Sequence, residues 1–319
     1  MDSMQSYEPK ESTATTGEKD ILLMCKDVPV YDITAGTILN TSLLPGAILR
    51  GTLDYDGWMK LRYSAGSNVT ARRLMLRAFG TDNHRNTLKV TRALSLSDCY
   101  WLRERDEATL FSNVTPYLHK EWDGVGDFTG GSISTLFVNG YARKRWLDSK
   151  TLVKEGSFKE YDAYALCKAL GLENYAGEAR LSDEGLLLTN FTSTNRFLES
   201  MEQSGYIGES DDVRTKAVEM FKEQAVALFV VDYLVESDDR HWGNIGLIRD
   251  ANTGEYLCMA PYFDFDWIWT DGVVRLPDNA LQQHSSYIRS LCERAMEAAA
   301  GFEKCAVIIK RAEELLRLV

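Results

Sequence analysis

Nowhere in the 319 residues do two cysteines stand close enough to form a CxxC pair, which excludes zinc ribbons and thioredoxin-type redox motifs. The six cysteines, Cys25, Cys99, Cys167, Cys258, Cys292 and Cys305, are scattered singly, the pattern of buried free thiols in a reducing compartment. The four histidines, His84, His119, His241 and His284, show neither HExxH nor HxxxH spacing, which argues against a zinc hydrolase. The longest apolar run, residues 225–231, stops at Asp232, far short of the roughly 20 residues that a membrane span needs. Residues 1–20 are polar and hold no apolar stretch of the kind a secretory signal requires. A cytoplasmic protein without a membrane partner is therefore expected. A basic excess is missing as well: 36 Lys and Arg face 47 Asp and Glu, for a formal net charge of −11. Such a body does not grip nucleic acid or anionic membrane over its whole surface.

What is present has the balance of an ordinary globular chain, 45% hydrophobic and 26% charged. The length suits one large or two modest domains whose core needs no disulfide or metal support. Residues 1–20, rich in Ser, Thr, Glu and Lys, read as a disordered tail. Residues 21–116 mix strand-like runs at 21–24 and 28–31 with a basic helical stretch at 70–79. That stretch carries Arg72, Arg73 and Arg77 and reads as a solvated helix face; the phrase SLSDCYWL at 95–102 leads into a loop. From 117 to 155, Gly124, Gly126, Gly130, Gly131 and Gly140 crowd between strand-like pieces at 134–138 and 151–154. A helical pattern opens at Glu160, runs over 161–170 and ends at Gly171 as a helix C-cap should. After the turn residue Gly185, residues 186–188 read as another short strand. The second half is dominated by helices. One long helix is expected over 212–235, with Val213, Ala217, Met220, Phe221, Ala225 and Leu228 at helical spacing; two more are expected over 278–299 and 302–318. Strands with one helix, then a mostly helical half, predict a two-lobed α+β body.

The stretch 237–266, SDDRHWGNIGLIRDANTGEYLCMAPYFDFD, carries the chemistry. It follows the long helix, so residues 238–244 form the loop at that helix's end. Gly254 turns between strands at 245–248 and 256–259, and Asp264 falls just past the second. Asp239, Asn244 and Asp264 thus meet at one edge of a hairpin. Singly, each has an ordinary reading: a helix-end turn residue, a turn former and a cap. Together they suit phosphoryl transfer, which needs magnesium clamped to phosphates and a carboxylate aimed at the attacking hydroxyl. Magnesium prefers one or two carboxylate or amide oxygens plus phosphate oxygens. An Asp, an Asn five residues later and an Asp after a hairpin follow the order of catalytic base, second metal ligand and first metal ligand in protein kinases.

The whole string D-R-H-x-x-N followed by A-P-x-F-D, with Asp239, Arg240, His241, Asn244, Ala260, Pro261, Phe263 and Asp264, resembles the HipA-like serine/threonine protein kinase family. Residues 21–116, with their KDVPV and SLSDCYWL phrases, look like the front segment of that family's compact subgroup in Gram-positive bacteria and mobile elements. The resemblance implies a two-lobed protein-kinase-like fold with a small β-rich N-lobe, a helical C-lobe and an extra N-terminal segment. Residues 21–116 would be that segment, packing on the kinase; 117–191 would be the N-lobe and hinge, and 192–319 the helical C-lobe. It implies ATP and Mg2+ as cofactors, Asp239 as catalytic base, and Asn244 and Asp264 as metal ligands. TLVKEG at 151–156 resembles the strand whose lysine, here Lys154, reaches the ATP phosphates, and Glu160 would orient that lysine by ion pairing. LTNFT at 188–192 resembles the hinge, where backbone groups near Thr189 and Phe191 would hydrogen-bond adenine. DFTGGSIS at 127–134 occupies the place of the phosphate-covering loop, with Gly130 and Gly131 allowing close backbone approach. Some relatives modify themselves in this loop, which makes Ser132 and Ser134 candidates for autophosphorylation, a phosphate there pairing with Arg143, Lys144 or Arg145.

The sequence departs from the family at Asp238, where Asn is commoner, and at Phe265–Asp266, where many relatives have Asn-Gly. Asp266 puts a further carboxylate beside the metal Asp, either strengthening cation binding or competing as ligand. The expected function is transfer of the ATP γ-phosphate to a hydroxyl of a protein substrate, with an antitoxin or regulator as a further partner. The alternatives are a catalytically weak kinase-fold binding module, a kinase of a small molecule or lipid, and a DNA-binding toxin–antitoxin partner acting through Arg72, Arg73 and Arg77.

Overall fold

A computed structural model describes residues 20–62, 76, 88, 91–119, 144–206, 212–272 and 274–319. The expectations for the tail, for the basic stretch at 70–79 apart from Leu76, and for the glycine-rich segment with its strand at 134–138 lie outside the described residues. In chain order the elements are β1 (Ile21–Cys25), β2 (Val28–Asp32), β3 (Thr37–Ile38), α1 (Gly46–Leu49), α2 (Tyr55–Arg62), β4 (Tyr100–Glu104), α3 (Phe111–Val114), β5 (Lys144–Trp146) and β6 (Thr151–Glu155). They continue with α4 (Tyr161–Ala169), β7 (Ala179–Ser182), β8 (Gly185–Thr189), β9 (Arg196–Ser200), α5 (Met201–Ser204), α6 (Val213–Phe221) and α7 (Glu223–Leu234). A 3-10 turn at Trp242–Asn244 precedes β10 (Gly246–Asp250), β11 (Tyr256–Met259), α8 (Asp278–Gln283), α9 (Ser285–Ala298) and α10 (Cys305–Leu316).

Among the described residues the strands form three antiparallel sheets, ordered β3-β2-β1-β4, β5-β6-β8-β7 and β11-β10-β9. In the first, β1 is apolar at nearly every position because it lies between two partners inside a core built from Trp58, Met59, Trp101 and Phe111. The end of the SLSDCYWL phrase enters β4, paired to β1 with Leu23 opposite Leu102, and a loop follows it over 105–110. The third sheet lies between two cores: Phe197 of β9 belongs to the front one, whereas Met259 and nearby Met201 belong to a larger helical one. At the centre of that helical core is α7, buried from Ala225 to Leu234. A helix apolar all round has nowhere else to go.

Two expected helices are each divided. The stretch 212–235 breaks at Lys222, where φ is 51° and ψ is −127°, which separates the amphipathic α6 from α7, buried from Ala225 onward. Apolar spacing continues across the break, which is why periodicity alone does not show it. Likewise 278–299 divides at His284 into α8 and α9. The expected helix after Glu160 forms, and Gly171 closes it with φ at +68°. The hairpin β10–β11 also forms, with Gly254 in its turn at φ +78°. Cys25, Cys99, Cys167 and Cys292 are buried free thiols as expected, Cys305 is partly buried, and Cys258 is exposed on β11, the edge strand of its sheet, where Leu257 beside it is exposed as well. No helix among the described residues is long and apolar enough to cross a membrane.

Candidate active site

Glu160, six residues along the chain, and the distant Asp264–Asp266 stretch converge on the Lys154 ammonium. Its strand, β6, is central in its sheet, so Lys154 points inward and its side chain is 2% exposed. An ammonium removed from water needs carboxylates around it. Glu160, at the start of α4, supplies both oxygens at 2.7 and 2.8 Å. Asp264 and Asp266, just past β11, each supply one at 2.7 Å. Burial pulls the Lys154 pKa down, but Asp264, Glu160 and Asp266 outweigh it and hold the ammonium protonated. Glu160 responds the other way. Burial pushes its carboxyl up to about 7 against the pull of Lys154, with Asp266 and Asp264 adding repulsion.

The Asp-Phe-Asp run is fixed on both sides. Asp264 sits at φ 61°, a left-handed conformation that Asp tolerates better than most residues. The Phe265 N–H donates to Glu160 Oε1 at 3.0 Å, and the Phe265 ring is fully buried, edge-on to Tyr164 at 5.2 Å. Phe265 in the core leaves its two acidic neighbours facing the lysines. Burial alone would raise the Asp264 pKa, yet Lys144 and Lys154 hold it well below the usual carboxylate range.

The loop carrying Asp239 and Asn244 is held by Arg240. This guanidinium is buried, pairs with both oxygens of Asp232 at 2.9 Å, and donates to the carbonyls of Asn244 and Phe263 at 2.9 Å each. It thereby joins the end of α7, the Asp239 loop and the Asp264 segment. Asn244 is buried and its Nδ2 donates to the Asp239 carbonyl at 3.0 Å. Asp239 itself is exposed. Desolvation raises its carboxyl pKa, opposed by His241 and Arg240 and assisted by Asp264 and Asp238.

Thr189 ends β8, and its N–H donates to the Glu178 carbonyl. The Phe191 ring packs against Phe263, 6.1 Å between centroids, one residue before Asp264. Between them Asn190 donates to the carbonyls of Leu96 and Ser149, and Thr192 Oγ1 donates to Leu96 O. The connection from β8 to β9 is thus pinned to the front segment. Lys154, Glu160 and Asp264 are brought into direct contact; Asn244 and Asp239 are joined to them through Arg240, and Phe191 through Phe263. Gly130, Gly131, Ser132 and Ser134 lie outside the described residues.

Lys144 is a further member of this cluster that the sequence motifs do not single out. It stands opposite Lys154 in the β5–β6 register, and its Nζ lies 2.8 Å from Asp264 Oδ1 and 3.5 Å from Asp266 Oδ2. Cross-strand neighbours share a face, so a strand assignment for residues 144–146 is the signal that finds it. The run Arg143–Lys144–Arg145 hides that signal, because it reads as a solvated charge cluster. Lys144 is also engaged by aspartates here, rather than waiting in solvent for a phosphoserine.

For a divalent cation, Asp264, Asp266 and Glu160 lie close enough to offer carboxylate oxygens within 4.8 Å of one another. These are hard oxygen donors of the kind magnesium takes. Two lysine ammoniums meet on Asp264 Oδ1, so a cation taking that oxygen would have to displace at least one of them.

No protein-family model matches the chain, and no curated protein matches it. Among solved structures it is similar to HipA of Shewanella oneidensis MR-1, determined with HipB and operator DNA of that toxin–antitoxin system. The TM-score is 0.50 at 14% identity, covering 94% of this chain and 91% of that one. It is also similar to the Helicobacter pylori proinflammatory kinase CtkA at 21% identity and a TM-score of 0.33, over 54% of this chain and 78% of that one. At such identities the likeness is one of fold: the chain has a two-lobed, kinase-like α+β fold, distantly similar to that of HipA.

Proposed function

We propose that the protein is an ATP- and Mg2+-dependent phosphotransferase, a HipA-like kinase that moves the ATP γ-phosphate to a serine or threonine hydroxyl of a protein. The observation that carries this reading is the contact of Lys154 with Glu160 and Asp264 at 2.7 Å each, which joins the 154–160 stretch to a residue 110 positions further along the chain. Phosphoryl transfer asks for such an arrangement: a fixed cation for the phosphates beside a carboxylate for metal. In this reading Glu160 holds Lys154 toward the nucleotide phosphates. Asp264 and Asn244 would hold magnesium, which when bound neutralises phosphate charge. Backbone groups near Thr189 and Phe191 would hydrogen-bond adenine, and Asp239 orients the acceptor hydroxyl and takes its proton.

The proposed organisation keeps residues 21–116 as a segment packed on the kinase, 117–191 as N-lobe and hinge, and 192–319 as the helical lobe. The protein would work in the cytoplasm, and a regulator or antitoxin belongs to the proposal because the HipA similar to it was solved with such a partner.

The test is incubation with γ-labelled ATP, magnesium and a generic protein acceptor. Label on protein is expected. Asp264→Ala should abolish magnesium-dependent ATP binding, and Asp266→Ala should leave most of it; the reverse ranking would transfer the ligand role to Asp266. Label on a lipid or small hydroxyl compound alone would favour the small-molecule kinase, and ATP bound without transfer would favour the binding module.

A further inference from the structure

We propose that Asn190 is a positioning residue for the nucleotide base: its side chain fixes the backbone on either side of it by tying the hinge to the front segment and to the β5–β6 turn. The inference rests on the kinase reading above and deepens it. Asn190 stands between Thr189 and Phe191, the positions whose backbone groups that reading gives to adenine. Its own N–H donates to the Lys150 carbonyl at 2.7 Å. A side-chain amide has two N–H donors and an accepting oxygen, and Asn190 uses all of them. Its Nδ2 donates to the carbonyls of Leu96 at 3.2 Å and Ser149 at 3.0 Å. Its Oδ1 accepts from the Thr192 N–H at 3.0 Å, with the Thr192 hydroxyl 2.7 Å away. That hydroxyl also lies 2.6 Å from the Leu96 carbonyl and accepts from Tyr117 Oη at 2.9 Å. Leu96 is itself buried, so the front segment offers a fixed anchor rather than a loose one. Residues near 96, 149 and 190 thus meet at one amide. Backbone groups fixed before a ligand arrives cost it no ordering, whereas a loosened hinge must be ordered on binding. Losing these ties should therefore weaken the base-binding half of the site about 3–10-fold. The phosphate half, built on β6 and the Asp264 segment, should keep its affinity.

Titration calorimetry on the full chain with adenosine, ATP and magnesium triphosphate separates this from a purely structural role. Asn190→Asp keeps the shape and the oxygen that faces Thr192, but it sets a second oxygen against the Leu96 and Ser149 carbonyls. It should weaken adenosine and ATP by the same factor, about 10-fold, while magnesium triphosphate binds with wild-type affinity. In turnover, the KM for ATP should rise by more than kcat falls. Thr192→Val removes only the hydroxyl ties at nearly constant volume and should give the same pattern at about 3-fold; it carries the test if Asn190→Asp does not fold. Wild-type adenosine affinity in either folded variant, or an equal loss for adenosine and magnesium triphosphate, would overturn the inference. Wild-type protein that binds neither ATP nor adenosine would overturn the kinase reading, and this inference with it.

Discussion

Arg240 donates to two backbone carbonyls, those of Asn244 and Phe263, while its other nitrogens hold both oxygens of Asp232. Neither partner of the Asp232 pair is measurably exposed beyond 1%. A buried pair contributes little relative to a well-packed apolar substitute, but breaking one side leaves an uncompensated charge. Arg240→Met should therefore cost about 3–5 kcal/mol in denaturant unfolding, and at temperatures where the variant is folded it should still transfer phosphate poorly, because the Asp239 loop and the Asp264 segment lose their common tie. Adding Asp232→Leu should restore much of the stability and little of the transfer, which separates the two roles. Stability and transfer recovering together would contradict the positioning role.

Among the elements, α6 and α7 meet at Lys222 with φ 51° and ψ −127°. That backbone region favours glycine, and a side chain there costs of order 1 kcal/mol or more. Lys222→Gly should stabilise the protein by about 1 kcal/mol in denaturant unfolding; an unchanged or lower stability would mean that the Lys222 side chain compensates the strain. The same position shows the limit of what the sequence reveals. Apolar spacing correctly marks residues 212–235 as helical, but it is blind to one residue of unusual backbone. The hairpin β10–β11 was legible because its apolar alternation is interrupted by a glycine turn. Strand β9 was not, since one of its inward residues is Glu199, a carboxylate that reads as solvent-facing until Arg249 is placed beside it. Within the site, Lys154, Glu160, Asn244 and Asp264 were legible through the ordered string of motifs. Lys144 was not, because its role depends on which strand lies opposite Lys154.

At the scale of the molecule, Arg249 ties the front segment to the rest. Its nitrogens donate to the carbonyls of Ser42, Leu44 and Gly254 and reach Tyr100 Oη and Glu199. Glu199 in turn accepts from the Gly46 N–H and the Tyr256 hydroxyl. Burial raises the Glu199 pKa, with Arg249 the main opposing charge. Arg249→Met should cost about 3–5 kcal/mol and expose residues 40–62 to limited proteolysis before the helical lobe; uniform resistance would contradict the tie. Phe197 of the third sheet and Ala251 just after it complete the front core, so the segment packs directly against that sheet. The central claim, that this body performs phosphoryl transfer with Asp239 as base, is tested most directly by single-turnover transfer from γ-labelled ATP in wild-type and Asp239→Asn protein, with ATP affinity measured on both. The substitution removes a charge at nearly constant volume, so ATP affinity should stay close to wild type while transfer falls at least ~100-fold, the scale of lost general-base help. Transfer retained in Asp239→Asn at wild-type rate would contradict the account.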